Sequence, residues 1–123
     1  MYLDPTSTTP IFLQIATALE DSVLTGIYPE ESQVPSTTEW SAALRINPAT
    51  VLKGMTLLTD EGILYKKRGI GMFVTSGACE KIKGKRQEQF YESYIRTLVS
   101  ESRKIGLSCD DILPLIQKGF ENE

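Results

Sequence analysis

The residues whose chemistry is easiest to name lie between positions 47 and 71. Lys66, Lys67 and Arg68 are adjacent and run into Gly69, Ile70 and Gly71. Three neighbouring cations on a glycine-containing turn suit the neutralisation of phosphate oxygens. Upstream, Ala49, Thr50 and Lys53 bring a small apolar surface, a hydroxyl and an ammonium to the start of one helix. These groups match what DNA presents: a thymine methyl, a phosphate or base hydrogen-bonding edge, and an anion. The Thr50 hydroxyl serves equally well as a support for its own helix.

Other chemistries are poorly supplied. The chain has no histidine, so the commonest general base and the commonest transition-metal ligand are both missing. The two cysteines, Cys79 and Cys109, lack a short metal-binding spacing and read as ordinary reduced thiols. No phosphate-binding loop and no pair of acids at a telling spacing stands out. We therefore expect no enzyme, no metal site and no cofactor.

The net charge of −3 conceals a strong asymmetry. Residues 1–64 carry two basic and eight acidic groups, residues 65–86 carry seven basic groups against Glu80, and residues 87–123 carry four basic and seven acidic groups. More than half of the positive charge thus falls within 22 residues. An acidic total does not exclude a polyanionic partner when the cations are gathered in this way.

The elements that must position these groups follow from capping signals. Ser36 and Glu39 form a capping box that opens a helix of about ten residues. Asn47-Pro48 opens the next, with Asn as N-cap and Pro at the first helical position, and Gly62 stops it after about Glu61. Two starts separated by Arg45-Ile46 have the spacing of a helix-turn-helix. Val51, Met55 and Leu58, supported by Leu57, form the inward stripe of the second helix. Ile63-Leu64-Tyr65 and Met72-Phe73-Val74-Thr75 read as strands of a hairpin, with Lys66 to Gly71 as its tip. A first helix spans about Ile11 to Thr25 and ends at Gly26. Trp40 and Leu44, four residues apart, belong to the core.

From Cys79 the character changes. Phe90, Tyr94 and Leu98 recur every four residues, with Tyr91, Ile95 and Val99 widening the stripe, which predicts a long helix from about Lys85 to Ile105. Gly106 closes it, and Gly84 marks a point where it begins or bends. Ser108 and Asp111 form a second capping box before a helix bearing Ile112, Ile116 and Phe120. Pro114 implies a kink or a late start. Two such helices cannot bury a wide apolar face on each other alone. They either pair with a second copy around a two-fold axis or pack back onto the N-terminal domain.

At 123 residues the chain suits one compact domain with a small appendage. We expect a mainly α fold with a small β-hairpin wing (α+β): residues 1–77 as the DNA-binding domain and residues 78–123 as a two-helix dimerisation tail. No apolar run approaches the roughly 18 residues of a membrane span, and no signal sequence is evident, so the expected location is the cytoplasm, with no membrane partner.

Several stretches together resemble one family. Pro10-Ile11-Phe12-Leu13-Gln14-Ile15, Val34-Pro35-Ser36, Asn47-Pro48-Ala49-Thr50-Val51, Glu61-Gly62-Ile63-Leu64 and Gly69-Ile70-Gly71-Met72-Phe73-Val74 occur in the order and spacing of GntR-type winged helix-turn-helix regulators. The Asp4-Pro5 start and short tail are similar to the YtrA-like branch. The resemblance implies a homodimeric transcription factor, usually a repressor, on double-stranded operator DNA. It places Ser36, Thr37 and Thr38 on the DNA backbone, Asn47, Pro48, Ala49, Thr50 and Lys53 at the major groove, and Gly69, with Ile70 and Gly71, at the minor groove. A homodimer would associate through the apolar stripe read above, Phe90, Tyr91, Tyr94, Ile95, Leu98, Ile112, Ile116 and Phe120. The family commonly carries arginine or another basic residue where this chain has Thr38, Leu52 and Ile70, which shifts weight onto Lys66, Lys67 and Arg68. No residue constellation points to a small-molecule effector. The rival expectation is a winged-helix module that binds protein and has little affinity for DNA.

Overall fold

The computed structural model describes residues 2–122. Its elements are α1 (Ile11–Leu24), α2 (Thr37–Leu44), α3 (Pro48–Asp60), β1 (Leu64–Lys67), β2 (Gly71–Val74), α4 (Ala78–Phe90), a π-helical turn (Tyr91–Ile95), α5 (Arg96–Lys104) and α6 (Cys109–Glu121). They fall into two compact units, residues 1–84 and 85–123. The mainly α fold with one antiparallel hairpin is the expected class.

The first unit is built on α1 and α3. Ile15, Ala16, Leu19 and Val23 of α1 meet Val51, Met55 and Leu58 of α3, and Val34, Ile63, Leu64 and Val74 close the core. The two helices approach closely at Gly54, where an added Cβ would lie 2.7 Å from the Phe12 carbonyl oxygen. Trp40 and Leu57 are half-buried against this core, and Tyr28 meets the Trp40 ring edge-on at 6.4 Å.

Both capping signals of the helix-turn-helix operate. Ser36 Oγ accepts from the Glu39 amide and Glu39 Oε1 accepts from the Ser36 amide, each at 3.1 Å. Asn47 Oδ1 accepts from the Ala49 amide at 2.8 Å. Between the helices Arg45 adopts a left-handed conformation with φ 56°, and Ser41 Oγ donates to the Ile46 carbonyl at 2.6 Å.

In the hairpin Leu64 pairs with Val74, Tyr65 with Phe73, Lys66 with Met72 and Lys67 with Gly71. The strand therefore begins one residue late and takes in Lys66 and Lys67, which the sequence assigned to the tip. The tip itself is Arg68-Gly69-Ile70, closed by the Ile70 amide donating to the Lys67 carbonyl at 2.9 Å. Gly69, with φ 79°, supplies the left-handed residue that this turn requires.

The compact unit extends to Gly84, past the expected division after residue 77, because Ala78 and Ile82 are fully buried in the core. Helix α4 thus starts at Ala78, seven residues before the expected start at Lys85, and Gly84 lies inside it.

In the second unit the Arg96 amide donates to the Tyr91 carbonyl five residues back, which defines the π-helical turn. At the end of α5 the Leu107 amide donates to the Ser102 carbonyl and the Gly106 amide to Arg103, with Gly106 left-handed at φ 75°. That pattern is a Schellman close. The Ser108–Asp111 capping box forms, and α6 runs from Cys109 to Glu121 through Pro114, without the late start the proline suggested. Among the described residues no helix is long and apolar enough to cross a membrane.

Candidate nucleic-acid interface

Helix α3 turns Val51, Gly54, Met55 and Leu58 inward. The opposite face carries Ala49, Leu52, Lys53 and Thr56, all exposed. Of the residues expected there, Ala49 and Lys53 hold their places, whereas Thr50 is half-buried at the flank. Thr56 was missed and Leu52 entered only as a departure from the family's basic residue, although the three- and four-residue steps that start at Ala49 identify both. The Lys53 ammonium lies 4.1 Å from the centroid of the Phe12 ring. Its charge therefore rests on an aromatic face at the α1–α3 seam.

Helix α2 supplies its N-terminus. Ser36 is engaged in the cap, the Thr37 hydroxyl donates to the Met55 sulfur at 3.5 Å, and Thr38 is exposed. Asn47 and Pro48, both exposed, open α3. No acidic residue occupies the first turn of α3, so the positive end of its dipole is undiminished by a carboxylate of its own.

The wing brings in three cations by different routes. Successive strand residues face opposite sides of the hairpin. Lys66 shares a groove with Thr56, Ile70 and Met72, whereas the Lys67 ammonium sits 4.2 Å over Phe73 and 5.9 Å from Tyr65 on the other side. Arg68 and Ile70 are exposed at the tip.

Acidic and polar residues of the loop before α2 secure the wing. The Val34 amide donates to the Met72 carbonyl and the Glu31 amide to Val74, at 2.9 and 2.8 Å. Gln33 Nε2 donates to the Ile70 carbonyl at 3.1 Å, and Tyr65 Oη donates to Glu31 Oε2 at 2.7 Å. The bond to Glu31 raises the Tyr65 pKa above its ordinary value. These clamps were not visible in the sequence, since their partners lie more than 30 residues apart.

The second unit presents the expected apolar face. Phe90, Tyr91, Tyr94, Leu98, Ile116 and Phe120 are exposed, and Ile95 and Ile112 are half-buried. The Phe90 and Tyr94 rings lie 5.2 Å apart. Leu98, Ile112 and Ile116 line an apolar cavity of about 380 Å³ within this unit. Among the described residues no group of three His, Cys, Asp or Glu side chains could hold a metal ion.

A helix-turn-helix followed at once by a two-stranded hairpin defines a winged helix-turn-helix protein. The fold is shared with a GntR-family transcriptional regulator from Bacteroides thetaiotaomicron, 33% identical, over 91% of this chain and 97% of that one, with a TM-score of 0.75. A GntR-family regulator from Listeria monocytogenes is 26% identical over 91% and 96% of the two chains, with a TM-score of 0.74. The chain belongs to the GntR family of transcriptional regulators. It is similar to the transcriptional repressor YtrA of Bacillus subtilis, 36% identical over 76 residues, which cover 62% of this chain and 58% of that protein. The match therefore spans little more than half of that relative's length. No protein-family model matches the chain.

Proposed function

We propose that the protein is a repressor that binds a pseudo-palindromic DNA operator as a homodimer. The observation that carries this reading is the exposed face of α3 in the same compact unit as a hairpin bearing Lys66, Lys67 and Arg68. Helix α3 enters the major groove with Asn47, Pro48, Ala49 and Lys53 at its leading end, and Ser36 to Thr38 meet the backbone. The wing cations neutralise phosphates, and the tip at Gly69 reaches the minor groove. The apolar face of the second unit, from Phe90 to Phe120, joins two copies, so two recognition helices meet half-sites about one helical turn, or roughly 34 Å, apart. An occupied promoter then excludes polymerase.

Sedimentation of the full chain with a duplex taken from upstream of its own gene tests this reading. Two chains per duplex, and a dimer in free solution, are expected. A free monomer, or one chain per duplex, overturns the dimeric mechanism.

A further inference from the structure

The α3 face has a composition that bears on what it reads. Leu52 is 54% exposed, and it lines two hollows. One, of about 450 Å³, lies toward the wing with Thr56, Ile70 and Met72; the other, of about 420 Å³, lies toward Phe12 and Ala49. A single exposed leucine is ordinary on a protein surface. Leu52, however, sits at the middle of the helix face that the proposed function turns toward DNA, with methyl-bearing Ala49 three residues before it and Thr56 four residues after.

Guanine is read in the major groove chiefly by arginine or lysine, and adenine by asparagine or glutamine. The exposed positions 47, 49, 52, 53 and 56 offer only Asn47 and Lys53 from that set; Asn47 Oδ1 already accepts from the Ala49 amide, and the Lys53 ammonium lies over Phe12. The remaining groups are methyls and one hydroxyl. Among the four DNA bases, thymine alone places a methyl group in the major groove.

We infer that Leu52, flanked by Ala49 and Thr56, is a specificity-determining residue that packs against thymine 5-methyl groups, so that operator half-sites carry T·A pairs opposite the centre of α3. This inference rests on the DNA-binding reading.

The test starts from the duplex that the full chain selects from a randomised library. Each thymidine is then replaced in turn by deoxyuridine, which removes only the methyl group. Burial of one methyl corresponds to about a fourfold change in affinity. We expect a loss of about that size at one or more positions in each half-site. In L52A, and in L52Q, which keeps the length but replaces the methyls by an amide, thymine and uracil duplexes bind alike at those positions. A uracil substitution that costs nothing anywhere, or an undiminished penalty in both variants, overturns the assignment while leaving salt-sensitive DNA binding in place. Failure of the wild type to bind any duplex at low salt instead overturns the DNA-binding reading, and this inference with it.

Discussion

The Gly77 amide donates to Glu30 Oε1 at 2.6 Å, across 47 residues of chain, and the Cys79 amide donates to Oε2 of the same carboxylate at 3.2 Å. Glu30 thus caps the start of α4 from outside the helix, satisfying two amides that have no intrahelical partner. These bonds, Gly77 first, lower the Glu30 pKa below its ordinary value of 4.5. A depressed carboxylate stabilises the fold above the unfolded-state value, and this contribution is lost as pH falls through the folded-state value. Glu30→Gln should lower the melting temperature by a constant amount well above pH 4.5, and the gap from wild type should close in acid. Thermal unfolding across a pH series measures this, and a gap that widens in acid would exclude the capping role.

Two alanine substitutions should have opposite signs. At Gly54 the new methyl meets the Phe12 carbonyl oxygen at 2.7 Å, so α1 and α3 must separate. Gly54→Ala should cost about 1–3 kcal/mol, as overpacking does. At Gly84, inside α4, nothing lies within 4 Å of the added carbon. Gly84→Ala should stabilise by about 0.4–1 kcal/mol through the entropy of the unfolded chain. Urea unfolding of both variants compares the two effects directly.

The sequence made local features legible and long-range ones opaque. Each capping box, the Asn47-Pro48 start and the inward stripe Val51, Met55, Leu58 depend on residues within one or two helical turns. The start of α4 was misplaced because its anchors are distant: Ala78 and Ile82 enter the core of the first unit, and Glu30 caps the helix from before α2. The left-handed Arg45 and the close approach at Gly54 depend on helix–helix geometry, which no local pattern encodes. For the candidate interface, the cationic wing was plain from the adjacency of Lys66, Lys67 and Arg68 beside two glycines, against an acidic total. Thr56 lies two turns beyond the helix start, where the N-terminal groups Ala49, Thr50 and Lys53 drew the reading, and Leu52 stood out only as a departure from the family's basic residue, although the helical period includes both.

Tyr65 offers a spectroscopic check of the clamp that holds the wing. Its hydroxyl donates to Glu31, and ionising it places a second negative charge beside that carboxylate. The phenol should therefore titrate above its ordinary value of 10.0. Glu31→Gln should bring it back toward that value, as followed by ultraviolet difference titration. An unchanged titration in the variant would mean that the hydrogen bond is not formed in solution.

Charges placed on the apolar face of the second unit should separate assembly from folding. Tyr94 and Phe120 are 63% and 83% exposed in the single chain, so aspartate at either position costs little in an isolated copy and much in a dry interface. Tyr94→Asp and Phe120→Asp should yield folded monomers by sedimentation velocity, with operator affinity reduced at least tenfold, about 1.4 kcal/mol. Dimers that persist in both variants would place the interface elsewhere.

The central claim is that the wing clamps DNA phosphates beside α3. Its most direct test is fluorescence anisotropy of a labelled operator duplex, titrated at several salt concentrations with wild type and with Lys66, Lys67 and Arg68 all changed to alanine. Each phosphate contact contributes about 0.9 to the slope of log affinity against log salt. The account predicts that the triple variant loses affinity and that its slope is shallower by about 2–3 per wing engaged. A triple variant with the slope and affinity of the wild type would contradict it.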